Sequence, residues 1–198
     1  MFQFIETIRI DNGQIELLHF HNVRYNATRL RFFSVEEDCN LNEQIVIPKK
    51  FQIGLVKCRI TYDSKIVDVQ FMHYQWRPIS KLKTVDSNIS YNYKSADRKH
   101  LEQLKSEAEP ADEVLIIKDG RVSDTSFSNI IFRQNGFWYT PDTPLLSGVR
   151  REYLLQKGFI SERSISIQDI ETFDSFMLVN AMLDFDENRL LPIKNIIK

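Results

Sequence analysis

Lys94, Asp124, Arg24 and the run Ser147-Gly148-Val149-Arg150 are among the positions whose residue types could do chemistry. A lysine amine is a nucleophile toward carbonyl carbon, and its pKa moves readily when it loses water. Lys94 could therefore hold a carbonyl compound covalently and move protons beside it, although most lysines are solvated surface groups. Asp124 could stabilise a positive charge; an Asp before Thr125 also commonly caps a turn. Ser147 to Lys157 reads as a helix, with Ser147 as N-cap and Gly158 just past its end. The N-terminus of such a helix binds anions through its orphan N–H groups and its dipole. The fork of Arg24 suits a phosphate, but an Arg on an amphipathic helix is usually part of the solvated face.

Other chemistries find no support. His19 and His21 point apart on a helix and cannot share a metal; His73 and His100 stand alone, so no metal site is expected. Ser126 and Ser128 lie in no Gly-x-Ser-x-Gly elbow, and there is neither a Gly-x-Gly-x-x-Gly nor a P-loop. The 198 residues carry a net charge of -1 without a basic stripe, which argues against nucleic acid. Cys39 and Cys58 make no disulfide framework. The N-terminus lacks the basic start of a signal peptide, and no apolar run approaches the ~20 residues of a membrane span. A cytoplasmic protein is expected.

The elements that must position these residues follow from periodicity. Phe2 to Ile10 reads as a strand, Asp11-Asn12-Gly13 as a hairpin turn, and Ile15 to Leu18 as the return strand. His19 to Phe33 is expected to be a helix with Phe20, Val23, Ala27 and Leu30 on one face. Leu55 to Tyr62 alternates, with Val56, Cys58, Ile60 and Tyr62 on one face. After the turn Asp63-Ser64-Lys65, Val67, Val69 and Phe71 alternate again. Arg77 to Val85 reads as a crossover. Asp97 to Ala108 reads as a helix with Leu101, Leu104 and Ala108 inward. Strands are expected at Val114 to Ile117, Ser128 to Arg133, Phe137 to Thr140 and Ser175 to Asn180, with turns at Asp119-Gly120 and Asn135-Gly136. The chain divides into a small α+β domain, residues 1–82, and a larger domain, residues 83–198.

Four segments, in order, carry a resemblance. Glu6-Thr7-Ile8-Arg9-Ile10-Asp11-Asn12-Gly13 with His21-Asn22-Val23-Arg24 resembles a Phe-Glu-Thr-x-Arg strand, a turn and a His-x-x-Arg helix. Tyr93-Lys94-Ser95-Ala96-Asp97-Arg98 is similar to a segment around a cofactor-bearing lysine. Asp112-Glu113-Val114-Leu115, then Val122-Ser123-Asp124 and Asn129-Ile130-Ile131-Phe132, resembles Asp-Glu-Ala-Leu, Val-Thr-Glu and Asn-Leu-Phe. Thr140-Pro141 with Leu146-Ser147-Gly148-Val149-Arg150-Arg151 resembles Thr-Pro and Leu-Pro-Gly-Ile-Thr-Arg. On these the sequence is identified as resembling the class IV aminotransferase and aminodeoxychorismate lyase family. Branched-chain members usually carry Tyr five residues after the lysine; Lys99 stands there, and the lyases resemble this chain more.

The resemblance implies a two-domain α+β fold of the D-amino acid aminotransferase-like kind. Its N-terminal domain is expected to be shortened, because Met1 falls almost at the first motif. It implies pyridoxal 5'-phosphate as cofactor, lying between the domains, and usually a homodimer. Lys94 would bind the cofactor aldehyde and be the catalytic base. Asp124 would face the pyridine nitrogen where the family has Glu, with one methylene less reach. Arg24, the turn at Gly148, the N–H groups of Val149 and Arg150, and the loop Asn180-Ala181 would hold the phosphate; Ala181 lacks the hydroxyl often found there. The substrate would be a small amino compound, its carboxylates met by Arg9, Arg77, Arg98 or Lys99. The implied reaction is 4-amino-4-deoxychorismate lysis. Transamination of branched-chain or D-amino acids is the alternative, and a non-catalytic relative is the third.

Overall fold

The structure, a computed structural model, describes residues 2–198. Its α+β architecture follows from the alternation in the N-terminal segment. β1 (Phe4–Asp11) turns at Asn12 and Gly13, whose φ values of 47° and 78° give the left-handed pair that a two-residue hairpin needs. The return strand β2 is shorter than expected (Gln14–Ile15), because Leu17 takes φ 51° and starts α1 (Leu18–Phe33). A single-turn α2 (Leu41–Gln44) leads to β3 (Leu55–Tyr62) and β4 (Ile66–His73). The four strands form an antiparallel sheet in the order β2-β1-β3-β4. Glu6 lies opposite Ile60 and Ile8 opposite Cys58. This register puts Phe4, Glu6, Ile8 and Ile10 on the face that also carries Val56, Cys58, Ile60 and Tyr62, and all eight are buried.

α1 covers that face, but with a rotation opposite to the expected one. His21, Tyr25, Thr28 and Arg29 turn inward, while Val23 and Leu30 are 57% and 53% exposed. Two effects decide the rotation. Tyr25 brings a larger ring, packing 4.5 Å from that of Tyr62. Inward polar side chains also find partners in the unit: Thr28 donates to Arg24 O at 2.8 Å, and Arg29 donates to the carbonyls of Ser64 and Glu37 at 3.0 Å each.

The second unit is built from β5 (Leu82–Asp86), α3 (Lys99–Glu107), β6 (Glu113–Lys118), β7 (Arg121–Thr125), β8 (Asn129–Gln134), β9 (Phe137–Pro141), α4 (Val149–Gln156), β10 (Ser161–Arg163), β11 (Ser175–Val179), β12 (Leu191–Pro192) and β13 (Ile196–Ile197). They form two sheets, β13-β5-β6-β7 and β10-β9-β8-β11-β12. β6 is apolar on both faces because both are covered. Leu115 and Ile117 join the core with Ile130, Phe132 and Phe176 of the other sheet. Val114 and Ile116 meet Leu101, Leu104 and Ala108 of the α3 segment.

The chain does not divide by one cut at 82. The first unit runs through Trp76 and takes back Tyr93–Asp97; the second holds Arg77–Asn92 and Arg98–Lys198. Leu82 already opens β5, and residues 93–97 return because their peptides bond to β1. Met1, with which the expected first domain begins, lies outside the described residues. Among the described residues no helix is long and apolar enough to cross a membrane.

Candidate functional site

In the first unit, Glu6 is a carboxylate on an otherwise apolar strand face and is fully buried. Such a charge needs partners, and α1 supplies them. Arg24 donates to Glu6 from Nε at 2.8 Å and from Nη2 at 2.6 Å. His21 Nδ1 lies 2.6 Å from Glu6 Oε2. Burial alone pushes the Glu6 carboxyl up, but the charge and hydrogen bond of Arg24, with the bond from His21, outweigh it and bring the carboxyl down to about 2. Burial lowers the His21 pKa against the pull of Glu6, and the charges of Arg24 and Lys94 lower it further. His21 is thus the neutral ring whose Nδ1–H donates to Glu6.

Lys94 belongs to this unit through its backbone. Ile5 N donates to Lys94 O at 2.9 Å, Ala96 N donates to Gln3 O at 2.8 Å, and Ser95 bridges Phe4. The lysine is thereby laid antiparallel along the start of β1, one residue from Glu6. Tyr93 packs its ring 4.7 Å from that of Phe32. The fold brings Lys94 into the electrostatic surroundings of His21, Glu6 and Arg24, although 70 residues separate Lys94 from Arg24. The guanidinium of Arg24 is shared: any phosphate it met would be bound beside Glu6.

In the second unit, Asp124 is the penultimate residue of β7 and is buried. Its Oδ1 accepts from Asn129 Nδ2 at 2.8 Å and its Oδ2 from Leu146 N at 3.0 Å. Burial raises its pKa to about 6, with these two bonds and the charge of Arg151 pulling the other way. The turn-cap role is not what holds it: the cap oxygen of that turn is Thr125 Oγ1, which accepts from Ser128 N at 3.0 Å.

α4 begins at Val149 with Gly148, not Ser147, as its N-cap, and no side chain caps it. A Cβ on Gly148 would overlap Asn129 Oδ1, so this position needs glycine. Asn129 also donates to Leu146 O at 2.9 Å, so one amide ties Asp124 to the loop before α4. The guanidinium of Arg150 turns to Asp184 at 2.5 Å, which leaves its backbone N–H as the group presented at the helix start. Asn180 accepts from Met182 N and Leu183 N at 2.8 and 3.0 Å and donates to Ser128 Oγ at 2.9 Å, so it shapes its own loop; Ala181 beside it is half-buried.

Among the candidates for carboxylate binding, Arg9 pairs with Asp11 and Glu16, each at 2.9 Å. Arg98 donates to Ser126 O at 2.7 Å and sits over the Tyr91 ring. Arg77 and Lys99 are exposed. The candidate list drawn from the sequence lacked Glu6, His21 and Asn129. A signal for Glu6 was available: the period-two face Phe4, Ile8, Ile10 contains it, and a charge in core register demands a partner. Asn129 at the head of an apolar strand is the same kind of signal.

Within the first unit, an arginine fork and a pinned lysine suit an anion and a reactive carbonyl; within the second, a buried acid of raised pKa and the N-terminus of α4 suit a ring nitrogen and an anion. The chain matches amino-transferase class IV over residues 3–196, and it belongs to that family, whose enzymes depend on pyridoxal 5'-phosphate. It is 40% identical over 185 residues to an uncharacterized protein of Haemophilus influenzae, covering 92% of this chain and 98% of the other. A solved structure from Haemophilus somnus 129PT, provisionally described as a 4-amino-4-deoxychorismate lyase, is 34% identical. It superposes with a TM-score of 0.87 over 93% of this chain and 98% of its own. A hypothetical aminotransferase from Mycobacterium tuberculosis, in its PLP-bound form, shares the fold with a TM-score of 0.77 at 15% identity, over 98% of this chain and 81% of its own.

Proposed function

We propose that this chain is a pyridoxal 5'-phosphate-dependent 4-amino-4-deoxychorismate lyase, releasing 4-aminobenzoate and pyruvate. The observation that carries the cofactor reading is the pairing of Lys94 with the start of β1, beside buried Glu6 and its partner Arg24. The likeness to the provisionally described lyase of Haemophilus somnus supports the substrate.

When bound, the cofactor supplies an electron sink conjugated to the substrate amine. Lys94 would hold it covalently through its amine and would yield that place to the substrate amine. The freed amine of Lys94 would accept the proton from the amine-bearing carbon. Lys94 would return that proton to the methylene carbon of the enolpyruvyl group as its oxygen parts from the ring carbon, giving pyruvate and an aromatic ring, and the Lys94 amine would then displace the 4-aminobenzoate amine. Asp124 would meet the positive charge of the ring nitrogen, and that charge would lower its pKa from about 6 and favour the carboxylate. By the family resemblance, Arg24 and the N–H groups of Val149 and Arg150 would hold the phosphate, with the turn at Gly148 and the loop Asn180-Ala181 contributing. The working form is a homodimer, as in the family, and size-exclusion chromatography with light scattering tests that.

The test of function has two stages. Purified protein given pyridoxal 5'-phosphate should develop the visible band of the lysine-bound cofactor, and Lys94→Ala should lose it. The protein should then form 4-aminobenzoate from aminodeoxychorismate without a keto-acid acceptor. Glutamate formation on adding 2-oxoglutarate and a branched-chain or D-amino acid would make it a transaminase instead. The band without either product would make it a non-catalytic relative.

A further inference from the structure

β6 and β7 pair out of step. Ile117 lies opposite Val122, and Leu115 lies opposite Thr125, so two steps on β6 are met by three on β7. The extra residue falls at Ser123-Asp124. Bulges of this kind re-aim a side chain, and an interrupted ladder holds its strand less firmly than a continuous one. Asp124 depends on this stretch more than a Glu would, because a shorter side chain leaves less slack between backbone and carboxylate.

Two charged side chains of the same unit close on the residue just past the bulge. Glu113, fully buried at the start of β6, accepts at Oε1 from Ser126 N at 3.2 Å and from Val114 N at 3.0 Å. From the other side, Arg98 Nη2 donates to Ser126 O at 2.7 Å, and its Nη1 reaches Tyr91 OH at 3.4 Å. Lys105 Nζ stands 3.5 Å from the other Glu113 oxygen but is half exposed. A buried carboxylate is costly to retain as mere filling. Here it and the guanidinium grip the N–H and the C=O of a single residue two positions from Asp124.

We infer that Glu113 and Arg98 are positioning residues for Asp124, clamping Ser126 so that bulged β7 delivers its carboxylate to one place. The inference rests on the reading of Asp124 as the acid that meets the cofactor. Neither residue touches the reacting atoms.

The experiment is a double-mutant cycle on cofactor affinity, measured by absorbance titration with pyridoxal 5'-phosphate, with thermal unfolding of the cofactor-free proteins alongside. Glu113→Ala and Arg98→Met should each weaken binding, about 2- to 100-fold. Glu113→Gln, which keeps an oxygen for Ser126, should recover most of the affinity. In an Asp124→Ala background both substitutions should lose their effect on affinity while still lowering the unfolding temperature. Equal weakening in both backgrounds would overturn the inference, since it would mark general loss of structure. So would unchanged affinity in the wild-type background. If Glu113→Ala does not fold, the Arg98→Met cycle decides alone. Wild-type protein that takes up no cofactor, or an Asp124→Ala variant that binds as wild type does, would instead remove the cofactor reading itself, and the clamp with it.

Discussion

The side-chain oxygen of Asn129 fills the space that a Cβ on Gly148 would need, while the nitrogen of the same amide holds Asp124 at 2.8 Å. Gly148 has an ordinary φ of -73°, so its requirement is space and not backbone freedom. Gly148→Ala must push Asn129 away and break its bonds to Asp124 and Leu146. The expected cost is about 1–3 kcal/mol in urea denaturation. Asn129→Ala has already lost those bonds, so adding Gly148→Ala to it should cost less than Gly148→Ala alone.

Asp124 gives the cofactor-free protein a pH dependence of definite sign. Its folded pKa of about 6 lies above the ordinary 3.8, so the folded state binds this proton more tightly than the unfolded state. The contribution is fully present below pH 4 and is lost as pH rises through 6, by about 3 kcal/mol. Denaturant midpoints measured from pH 4 to 8 should fall across that window, and Asp124→Asn should flatten the fall. A curve of unchanged shape in the variant would exclude Asp124 as its source.

Glu6 acts with the opposite sign. Its folded pKa of about 2 lies below the ordinary 4.5, so its contribution is present above pH 4.5 and disappears as pH falls toward 2. Glu6→Gln should remove this part of the acid limb. Glu6→Ala leaves the inner edge of Arg24 and His21 Nδ1 without their acceptor, and should cost about 3 kcal/mol or more at pH 7 by urea denaturation.

The two faces of α1 should respond unequally to substitution. Tyr25→Ala opens a cavity against Tyr62 and should cost about 3–5 kcal/mol. Leu30→Ser, on the exposed face, should stay within about 0.5 kcal/mol of wild type. The reverse ranking in denaturant melts would mean that the helix packs through its aliphatic stripe.

Much of the local structure was legible because it is set by near neighbours. The turn at Asn12-Gly13 and the buried face Val56, Cys58, Ile60, Tyr62 follow from positive-φ chemistry and a period of two. Val149 starts α4 one residue later than a Ser147 cap would place it, and what requires glycine at position 148 is Asn129, 19 residues before it. The face that α1 buries is likewise set by residues distant in sequence. Val23, Ala27 and Leu30 look like a core stripe until Tyr62 and Glu6 are placed opposite the helix, and they then lose to Tyr25 and His21.

By itself the sequence determined the α+β pattern, the inward side of most strands and the residue types that suit an aldehyde, a ring nitrogen and a phosphate. Tertiary structure decided which of them share an environment: Lys94 beside β1, Arg24 bound to Glu6, and Asp124 lifted to a pKa of about 6. The physical reason is range. Propensity and periodicity act over a few residues, whereas burial and charge pairing depend on partners that only the folded chain brings within a few ångströms.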